Sequence, residues 1–170
     1  LFLITKRKAT VIIVLDVSTS MKKDKIKTAT AATAEFLARL DPDDEVAVLT
    51  FSNDVVILSE PDTVRNVVEG LSPRILTLTA DGRTALYRAV CRATALAGEL
   101  QAEDEAQGES RLYGIVLLSD GDDTTGQPTE TQMFTTCLPA TAEADGFKIF
   151  PIAFGDAANN PLLSRLALAT

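Results

Sequence analysis

Histidine is absent from the 170 residues of this chain, and cysteine occurs only twice. Without histidine, catalysis of the Ser-His-Asp and Cys-His types and every histidine-ligated metal site are excluded. Cys91 and Cys137 are too few and too far apart for a disulfide framework or a zinc site, and they do not fix the compartment. Chemistry based on oxygen ligands remains open.

Helical periodicity gives a separate prediction for the two cysteines. At about 100° per residue, Cys137 falls on the Met133 face of a helix predicted over 129–145, whereas Cys91 lies roughly 140° from the centre of its own helix's apolar face. Because the two side chains should then face different surroundings, we expect two free thiols.

Positive charge and long apolar runs are also scarce. Sixteen basic against 24 acidic side chains leave a formal net charge of −8, which opposes binding to nucleic acid or to anionic lipid. The longest apolar stretches, such as VIIVL at 11–15, are far shorter than the roughly 20 residues of a membrane helix. We therefore expect no nucleic-acid partner and no direct membrane insertion by this segment, and we favour proteins or cations as partners.

The hydrophobic content, at 46%, is sufficient for one core. A chain of 170 residues is long enough for one sizeable domain and too short for two ordinary ones, so 1–170 is predicted to be a single domain. The chain opens at Leu1 without an initiator Met, and its first residues are too short in apolar length for a complete signal peptide. We expect a segment of a larger protein.

Short runs rich in β-branched residues predict five strands, at 10–17, 45–52, 55–59, 112–120 and 148–155. The second and third are separated only by Asn53 and Asp54, so they can pair only as an antiparallel hairpin, whereas helix-length segments between the others permit parallel crossovers. Helices are predicted at 21–40, 62–70, 84–100, 129–145 and 160–169. The predicted fold class is α/β, with a doubly wound, mostly parallel central sheet, one antiparallel edge strand and helices on both faces.

The first predicted strand ends in alternating acidic and hydroxyl side chains, within VLDVSTSM at 14–21. Because alternate side chains of an extended segment point the same way, Asp16, Ser18 and Ser20 can project together from its carboxyl end. That edge is where open α/β sheets bind ligands. A simpler structural explanation is that Ser20 caps a helix beginning at Met21 while Asp16 bonds the turn amides.

Two later loops carry similar groups. DGRTALY at 81–87 places Thr84 before a long helix, and LLSDGDD at 117–123 places Asp120 at the end of a strand. Each alone fits a structural role, Thr84 as a helix cap and Asp120 in an Asp-Gly turn. Together with the first motif they supply two carboxylates and three hydroxyls at one sheet edge, and such ligands suit Mg²⁺.

These motifs, in this order and on this strand pattern, resemble the metal-ion-dependent adhesion site of von Willebrand factor type A domains, with bacterial members most similar. The resemblance covers nearly the whole chain, including FSNDV at 51–55 and IFPIAFG at 149–155. It implies one divalent cation, Mg²⁺ or Mn²⁺, bound directly or through water by Asp16, Ser18, Ser20, Thr84 and Asp120.

The ligand chemistry indicates a binding module rather than an enzyme. Two carboxylates roughly neutralise a divalent ion, and neutral hydroxyls leave the ion able to accept one more anionic oxygen. A protein partner offering an Asp or Glu carboxylate is the natural source of that oxygen. Asp122 and Asp123 are not expected to be primary ligands, because further carboxylates would over-neutralise the ion.

Two features depart from the family pattern. Thr19 stands where many relatives have glycine, and the chain ends at Thr170, where family members usually continue into a last short strand and a final helix. We therefore expect the domain to lack these two elements. The compartment and oligomeric state are left open, with a preference for an extracytoplasmic or membrane-tethered setting within a larger protein.

The sequence leaves three alternatives to adhesion through a metal. A Mg²⁺-dependent phosphoryl-transfer enzyme of the haloacid-dehalogenase-like type would use Asp16 as nucleophile, but it needs a second aspartate where Ser18 stands, and no P-loop pattern is present. A metal-free scaffold would hold partners through other surfaces. A third possibility keeps the metal and makes the partner a domain of the same parent protein or an associated ATPase.

Overall fold

The computed structural model describes residues 7–139, 146–155 and 158–170, which form a sheet with strand order β3-β2-β1-β4-β5. The strands are β1 (Ala9–Asp16), β2 (Glu45–Phe51), β3 (Val55–Thr63), β4 (Leu112–Ser119) and β5 (Lys148–Ala153). All neighbouring pairs are parallel except β2 and β3, which are antiparallel at one edge. Helices lie on both faces of the sheet, so the predicted fold class is confirmed.

β1 is the central strand and is buried along almost its whole length. Its side chains alternate between two cores: Ile12 and Val14 pack on the face that α3 covers, and Val11, Ile13 and Leu15 pack on the opposite face. A strand buried on both faces needs a continuous apolar sequence, which explains the run VIIVL. This strand carries the first predicted site residue at its carboxyl end.

The helices are α1 (Asp24–Arg39), α2 (Val64–Leu76), α3 (Leu86–Ala106), α4 (Glu130–Gln132) and α5 (Asn160–Leu168). α1 and α2 pack on one face of the sheet, and α3 and α5 pack on the other. α2 runs beyond its predicted end because Leu71 and Ile75 add further buried turns. α3 also continues past its predicted end, so much of the charged segment at 101–110 is helical.

The predicted helix at 129–145 begins as expected but is shorter and less regular than predicted in the part that the structure describes. α4 ends at Gln132 and continues as a π turn over Met133–Cys137, after which Leu138 is extended; residues 140–145 lie outside the described residues. A π turn contains more residues than an α turn, so the assumed 100° per residue does not apply to Cys137.

The two cysteines form a disulfide, with their Cα atoms 4.9 Å apart. The prediction of two free thiols is therefore wrong. Both residues pack against the same apolar core, on the α3 side of the sheet. The bond joins α3 to the π turn, across 46 residues of sequence.

One part of the sheet is less well covered. On the α1 side, β4 and β5 border an apolar groove of about 420 Å³, lined among others by Phe36, Val116, Phe150 and Ile152. Phe150 and Ile152 are exposed there. None of the helices in the described residues combines the length and the apolar content needed to cross a bilayer.

Candidate functional site

The carboxyl ends of β1 and β4 form the point at which the sheet topology reverses. β1 connects onward to β2 on one side, whereas β4 connects onward to β5 on the other. Ligands of open α/β sheets bind at such switch points. Asp16 ends β1 and Asp120 directly follows β4; since Leu15 pairs with Leu118 in the register, Asp16 lies beside Ser119.

Asp16 is fully buried and already engaged by two donors. Its Oδ1 accepts a hydrogen bond from the Ser18 backbone N–H at 2.9 Å, and its Oδ2 accepts one from the Ser119 hydroxyl at 2.7 Å. Burial raises the pKa of Asp16 above its ordinary value, the negative charge of Asp120 adds to this increase, and the hydrogen bonds from Ser119 and Ser18 oppose it. A nearby cation would relieve both the burial cost and the repulsion.

The hydroxyls of Ser18 and Ser20 lie within hydrogen-bond distance of each other, with their Oγ atoms 3.0 Å apart. Ser18 is buried and Ser20 is exposed. The predicted helix start at Met21 is wrong, because Thr19–Met21 form a 3₁₀ turn and α1 begins at Asp24. Neither helix has a side-chain cap, so the simpler explanation of Ser20 as a helix cap does not hold.

Thr84 is buried in the loop before α3. Its backbone N–H donates to Thr124 Oγ1 at 2.8 Å, and its carbonyl accepts from the Thr124 N–H at 2.9 Å. The residue that precedes α3 as its N-cap is Ala85, without a side-chain cap bond. The role of a helix cap therefore does not explain Thr84 either.

Backbone hydrogen bonds join the Thr84 loop to the first loop. The Asp81 N–H donates to the Val17 carbonyl at 2.8 Å, and the Thr19 N–H donates to the Gly82 carbonyl at 3.0 Å. Gly82 has a φ of 86°, and a Cβ at this position would lie about 3.0 Å from the Asn53 side chain. Glycine therefore permits the close approach of the Thr84 loop to Asn53, in the turn between β2 and β3.

Asp120 combines burial with an unsatisfied oxygen. Its side chain is 8% exposed; Oδ2 lies 3.3 Å from Lys25 Nζ, and Oδ1 has no hydrogen-bond partner among the described residues. The turn that follows is held by Ser119, whose hydroxyl accepts from the Gly121 N–H at 3.0 Å. The Ser119 hydroxyl, and not the Asp120 carboxylate, thus stabilises the turn at Gly121.

Asp122 and Asp123 are engaged in loop hydrogen bonds. Asp122 Oδ1 accepts from Asn159 Nδ2 at 3.3 Å. Asp123 accepts from the Tyr87 N–H in the first turn of α3 at 3.2 Å, and from the Thr125 and Gly126 N–H groups at 2.9 and 2.6 Å. Both side chains thus have structural roles in the loop, and that neither is a primary metal ligand stays a prediction.

Three further residues contact the predicted site residues although the sequence did not predict them: Ser119, Lys25 and Thr124. Ser119 could have been inferred from the sequence, because parallel pairing of the two apolar runs places it beside Asp16. Lys25 and Thr124 carried no signal, since their contacts depend on where α1 begins and how the loop after β4 folds.

At the carboxyl edge of the sheet, the two carboxylates of Asp16 and Asp120 have Lys25 as their nearby cation, which contacts only Asp120. Groups of three or more His, Cys, Asp or Glu side chains that could hold a metal are absent from the described parts of the chain. A cation here would therefore depend on two carboxylates supplemented by hydroxyls. Asp120 Oδ1, buried and without a partner, fits such a ligand set.

A doubly wound α/β fold with two carboxylates at its switch point has the architecture of open-sheet domains, which bind ligands at that edge. The chain belongs to the von Willebrand factor type A domain family, whose model matches residues 11–122. Domains of this family are generally protein-interaction modules.

Curated relatives match this chain over nearly its whole length. An uncharacterised protein of Synechocystis is 29% identical over 158 residues, covering 91% of this chain and 34% of the relative. Bovine inter-alpha-trypsin inhibitor heavy chain H4 is 30% identical over 162 residues, covering 93% of this chain and 17% of the relative. This chain thus spans 34% or less of the length of these relatives.

Solved structures share the fold at low identity. A von Willebrand factor type A protein from Catenulispora acidiphila has a TM-score of 0.80 and 18% identity, covering 97% of this chain and 37% of that one. The manganese-loaded TRAP protein of Plasmodium vivax has a TM-score of 0.66 and 14% identity, covering 96% and 64%.

Proposed function

We propose that this domain binds one divalent cation, Mg²⁺ or Mn²⁺, at the carboxyl edge of its sheet and, through that cation, an Asp or Glu carboxylate of a protein partner. The observation that carries the proposal is the buried Asp120 Oδ1 without a hydrogen-bond partner, on a carboxylate whose charge acts on a second buried carboxylate, Asp16, at the end of the neighbouring strand. An isolated buried carboxylate oxygen is costly unless a cation or a donor satisfies it.

The proposed ligands are Asp16, Ser18, Ser20, Thr84 and Asp120. The hydroxyls of Ser18, Ser20 and Thr84 are included because none of them caps a helix through its side chain, which was the simpler role expected for Ser20 and Thr84. The cation would supply an electrophilic centre that accepts an anionic oxygen, and the neutral hydroxyls preserve that capacity. The manganese in the TRAP protein of the same fold is consistent with this choice of ion.

Calorimetric titration of Mg²⁺ and Mn²⁺ into chelator-treated protein tests the metal. We expect saturable binding by the wild type, and its loss in Asp16→Ala and in Asp120→Ala, since each change removes about half of the protein's compensating charge. Ser18→Ala should weaken binding less, because it removes a neutral oxygen. Asp81→Ala is the matched control: its carboxylate lies in a neighbouring loop but is exposed and paired with Lys22.

Acetate provides a minimal probe of carboxylate acceptance. In the Mn²⁺-loaded protein, acetate should displace metal-bound water, and the water proton relaxation rate should fall with saturation. A relaxation rate that is unchanged at saturating acetate would contradict an open coordination position. The enzyme alternative predicts turnover of a generic phosphate ester with Mg²⁺, and we expect none.

A metal-free scaffold is the second candidate, and the ion pair between Lys25 and Asp120 favours it. A lysine that neutralises Asp120 reduces the need for a metal. Absence of saturable heat with both metals would select this alternative.

The disulfide bears on the setting of the domain. Disulfides persist in oxidising compartments and are rare in the cytosol, so the Cys91–Cys137 bond supports an extracytoplasmic position. As the relatives are at least about three times longer than the matched region, we propose that the domain acts within a larger protein.

A further inference from the structure

Lys25 brings a positive charge from α1 to the proposed metal site. It lies in the first turn of α1, and its Nζ is 3.3 Å from Asp120 Oδ2. The Lys25 side chain is 32% exposed and that of Asp120 is 8% exposed. This pair is therefore much less solvated than the neighbouring pair of Lys22 and Asp81, whose side chains are 52% and 86% exposed.

The path of the Lys25 side chain depends on a glycine. A Cβ on Gly155 would lie 2.7 Å from Lys25 Cε and 3.2 Å from its Nζ, and Gly155 has a φ of 87°. The stem of Lys25 therefore runs against Gly155, just after β5, and its flexible end would have to shift if this residue carried a Cβ. Lys25 is held between Gly155 and Asp120.

The chain also turns sharply just before this lysine. Lys23, the residue before α1, has a φ of 67°, the one positive φ of a non-glycine residue in the described part of the chain. Such a conformation is costly for a residue with a side chain. It separates the 3₁₀ turn from α1 and so sets the direction of the helix turn that carries Lys25.

We propose that Lys25 is a built-in competitor for the divalent cation: its ammonium group neutralises Asp120 in the metal-free domain and must move away when a metal binds. This inference rests on the proposed metal-binding function and concerns its regulation. A divalent ion held by Asp120 would lie within a few ångströms of the ammonium, where repulsion between like charges is strong. The flexible lysine stem, partly exposed, allows the side chain to swing toward solvent.

Competition between Lys25 and the metal raises the metal concentration at which the site becomes occupied. The lysine lowers the apparent metal affinity because part of the binding free energy is used to displace it. The metal-free domain is correspondingly protected from the repulsion between Asp16 and Asp120. The domain would then expose its partner-binding cation only above a set concentration of divalent metal.

The test compares Mg²⁺ and Mn²⁺ affinities of four proteins by calorimetry: wild type, Lys25→Met, Lys25→Arg and the control Lys22→Met. Methionine keeps the unbranched stem without the charge, so Lys25→Met should bind metal about tenfold more tightly than the wild type. The metal affinity of Lys25→Arg should stay within about threefold of that of the wild type, because arginine keeps the positive charge beside Asp120. The metal affinity of Lys22→Met should also stay within about threefold, because Lys22 belongs to an exposed ion pair with Asp81.

Thermal unfolding in a chelator gives a second readout that does not depend on metal. Lys25→Met should lower the unfolding midpoint of the metal-free protein by a few degrees, since Asp120 loses its counterion, and added metal should reverse this difference. Lys22→Met should change neither quantity.

The outcomes separate this inference from the proposed function. If the wild type binds metal and Lys25→Met binds it equally well, the competition is disproved and the metal site stands. If only Lys25→Met binds metal, the competition is supported in its strongest form, and metal binding by the natural chain is disproved. If neither protein binds metal at millimolar concentrations, the proposed function and this inference both fail.

Discussion

Both ends of the central sheet bury carboxylates, Asp44 at the amino end and Asp16 and Asp120 at the carboxyl end, but among the described residues only the amino end also encloses a largely buried guanidinium. At the amino ends of β2 and β4, the Arg111 side chain is 8% exposed and lies 3.4–3.6 Å from the carboxylates of Glu45, Asp104 and Glu109. At the carboxyl ends of β1 and β4, the buried groups are the carboxylates of Asp16 and Asp120.

The two ends also differ in how their charges are compensated. At the amino end, the carboxylates have other donors or reach solvent: the Tyr113 hydroxyl donates to Asp104 at 2.5 Å, and Glu109 is half-exposed. Arg111 Nε and Nη1 make no hydrogen bond, but three carboxylates surround this one guanidinium. At the carboxyl end, Lys25 reaches only one oxygen of Asp120. At the amino end the guanidinium is thus compensated by carboxylates of the chain itself, whereas at the carboxyl end Asp120 Oδ1 has no partner among the described residues, and this is where we propose that a cation binds.

Removing the cation at the amino end should give the largest effect on stability. Arg111→Met leaves Glu45 and Asp104 close together with no guanidinium between them, and we expect a loss of about 4 kcal/mol in the free energy of unfolding. Urea denaturation at neutral pH measures it. Arg39→Met is the control, because Arg39 pairs with Glu35 on the surface and should change stability little. A loss for Arg111→Met as small as that of the control would remove the contrast between the two ends.

Removing an anion at the carboxyl end should act in the opposite direction. In a chelator at pH 7, we expect Asp16→Asn to stabilise the domain by about 1 kcal/mol, a typical single-residue effect, since asparagine ends the repulsion with Asp120 and retains polar atoms for Ser18 and Ser119. With metal present, the same change should abolish metal-dependent stabilisation. Chemical denaturation with and without Mg²⁺ checks both signs.

The pH dependence of this gain follows from the raised pKa of Asp16. A carboxyl with a higher pKa in the folded state than in the unfolded state binds more protons when folded, so its stability penalty is present at high pH and vanishes as pH falls below the unfolded value. The advantage of Asp16→Asn should therefore be largest at pH values above the raised pKa and shrink on acidification through it. An advantage that grows on acidification would contradict the burial argument.

The sequence was informative where one rule of local structure dominates. β-branched runs predicted the five strands that lie in the described residues, and Asn53 and Asp54 predicted the antiparallel pairing of β2 with β3. The carboxyl-edge position of Asp16 and Asp120 followed from strand ends alone. Their common binding of a metal, together with Ser18, Ser20 and Thr84, stays a prediction.

Features set by exact helix geometry could not be predicted. The contact between Lys25 and Asp120 depends on α1 beginning at Asp24 after a 3₁₀ turn, and on the positive φ of Lys23. The disulfide was missed because the π turn before Leu138 changes the direction of Cys137. A shift of one residue in a helix rotates a side chain by about 100°, which decides whether such contacts form.

The smallest effect on metal binding should come from replacing the two aspartates that follow Asp120 most closely in the sequence. Asp122→Asn together with Asp123→Asn should leave the Mg²⁺ affinity within about tenfold of the wild type, because Asp122 bonds to Asn159 and Asp123 bonds to loop and helix amides. The double variant should still lose about 1 kcal/mol of stability, since asparagine offers Tyr87 and Gly126 one carboxamide oxygen in place of two carboxylate oxygens. Calorimetric titration of Mg²⁺ into the double variant, with Asp120→Asn measured in parallel, separates a role as metal ligand from a role in the loop hydrogen bonds. If the double variant lost metal binding as completely as Asp120→Asn, Asp122 or Asp123 would belong to the ligands. The need for a cation at the carboxyl edge would then extend into this loop.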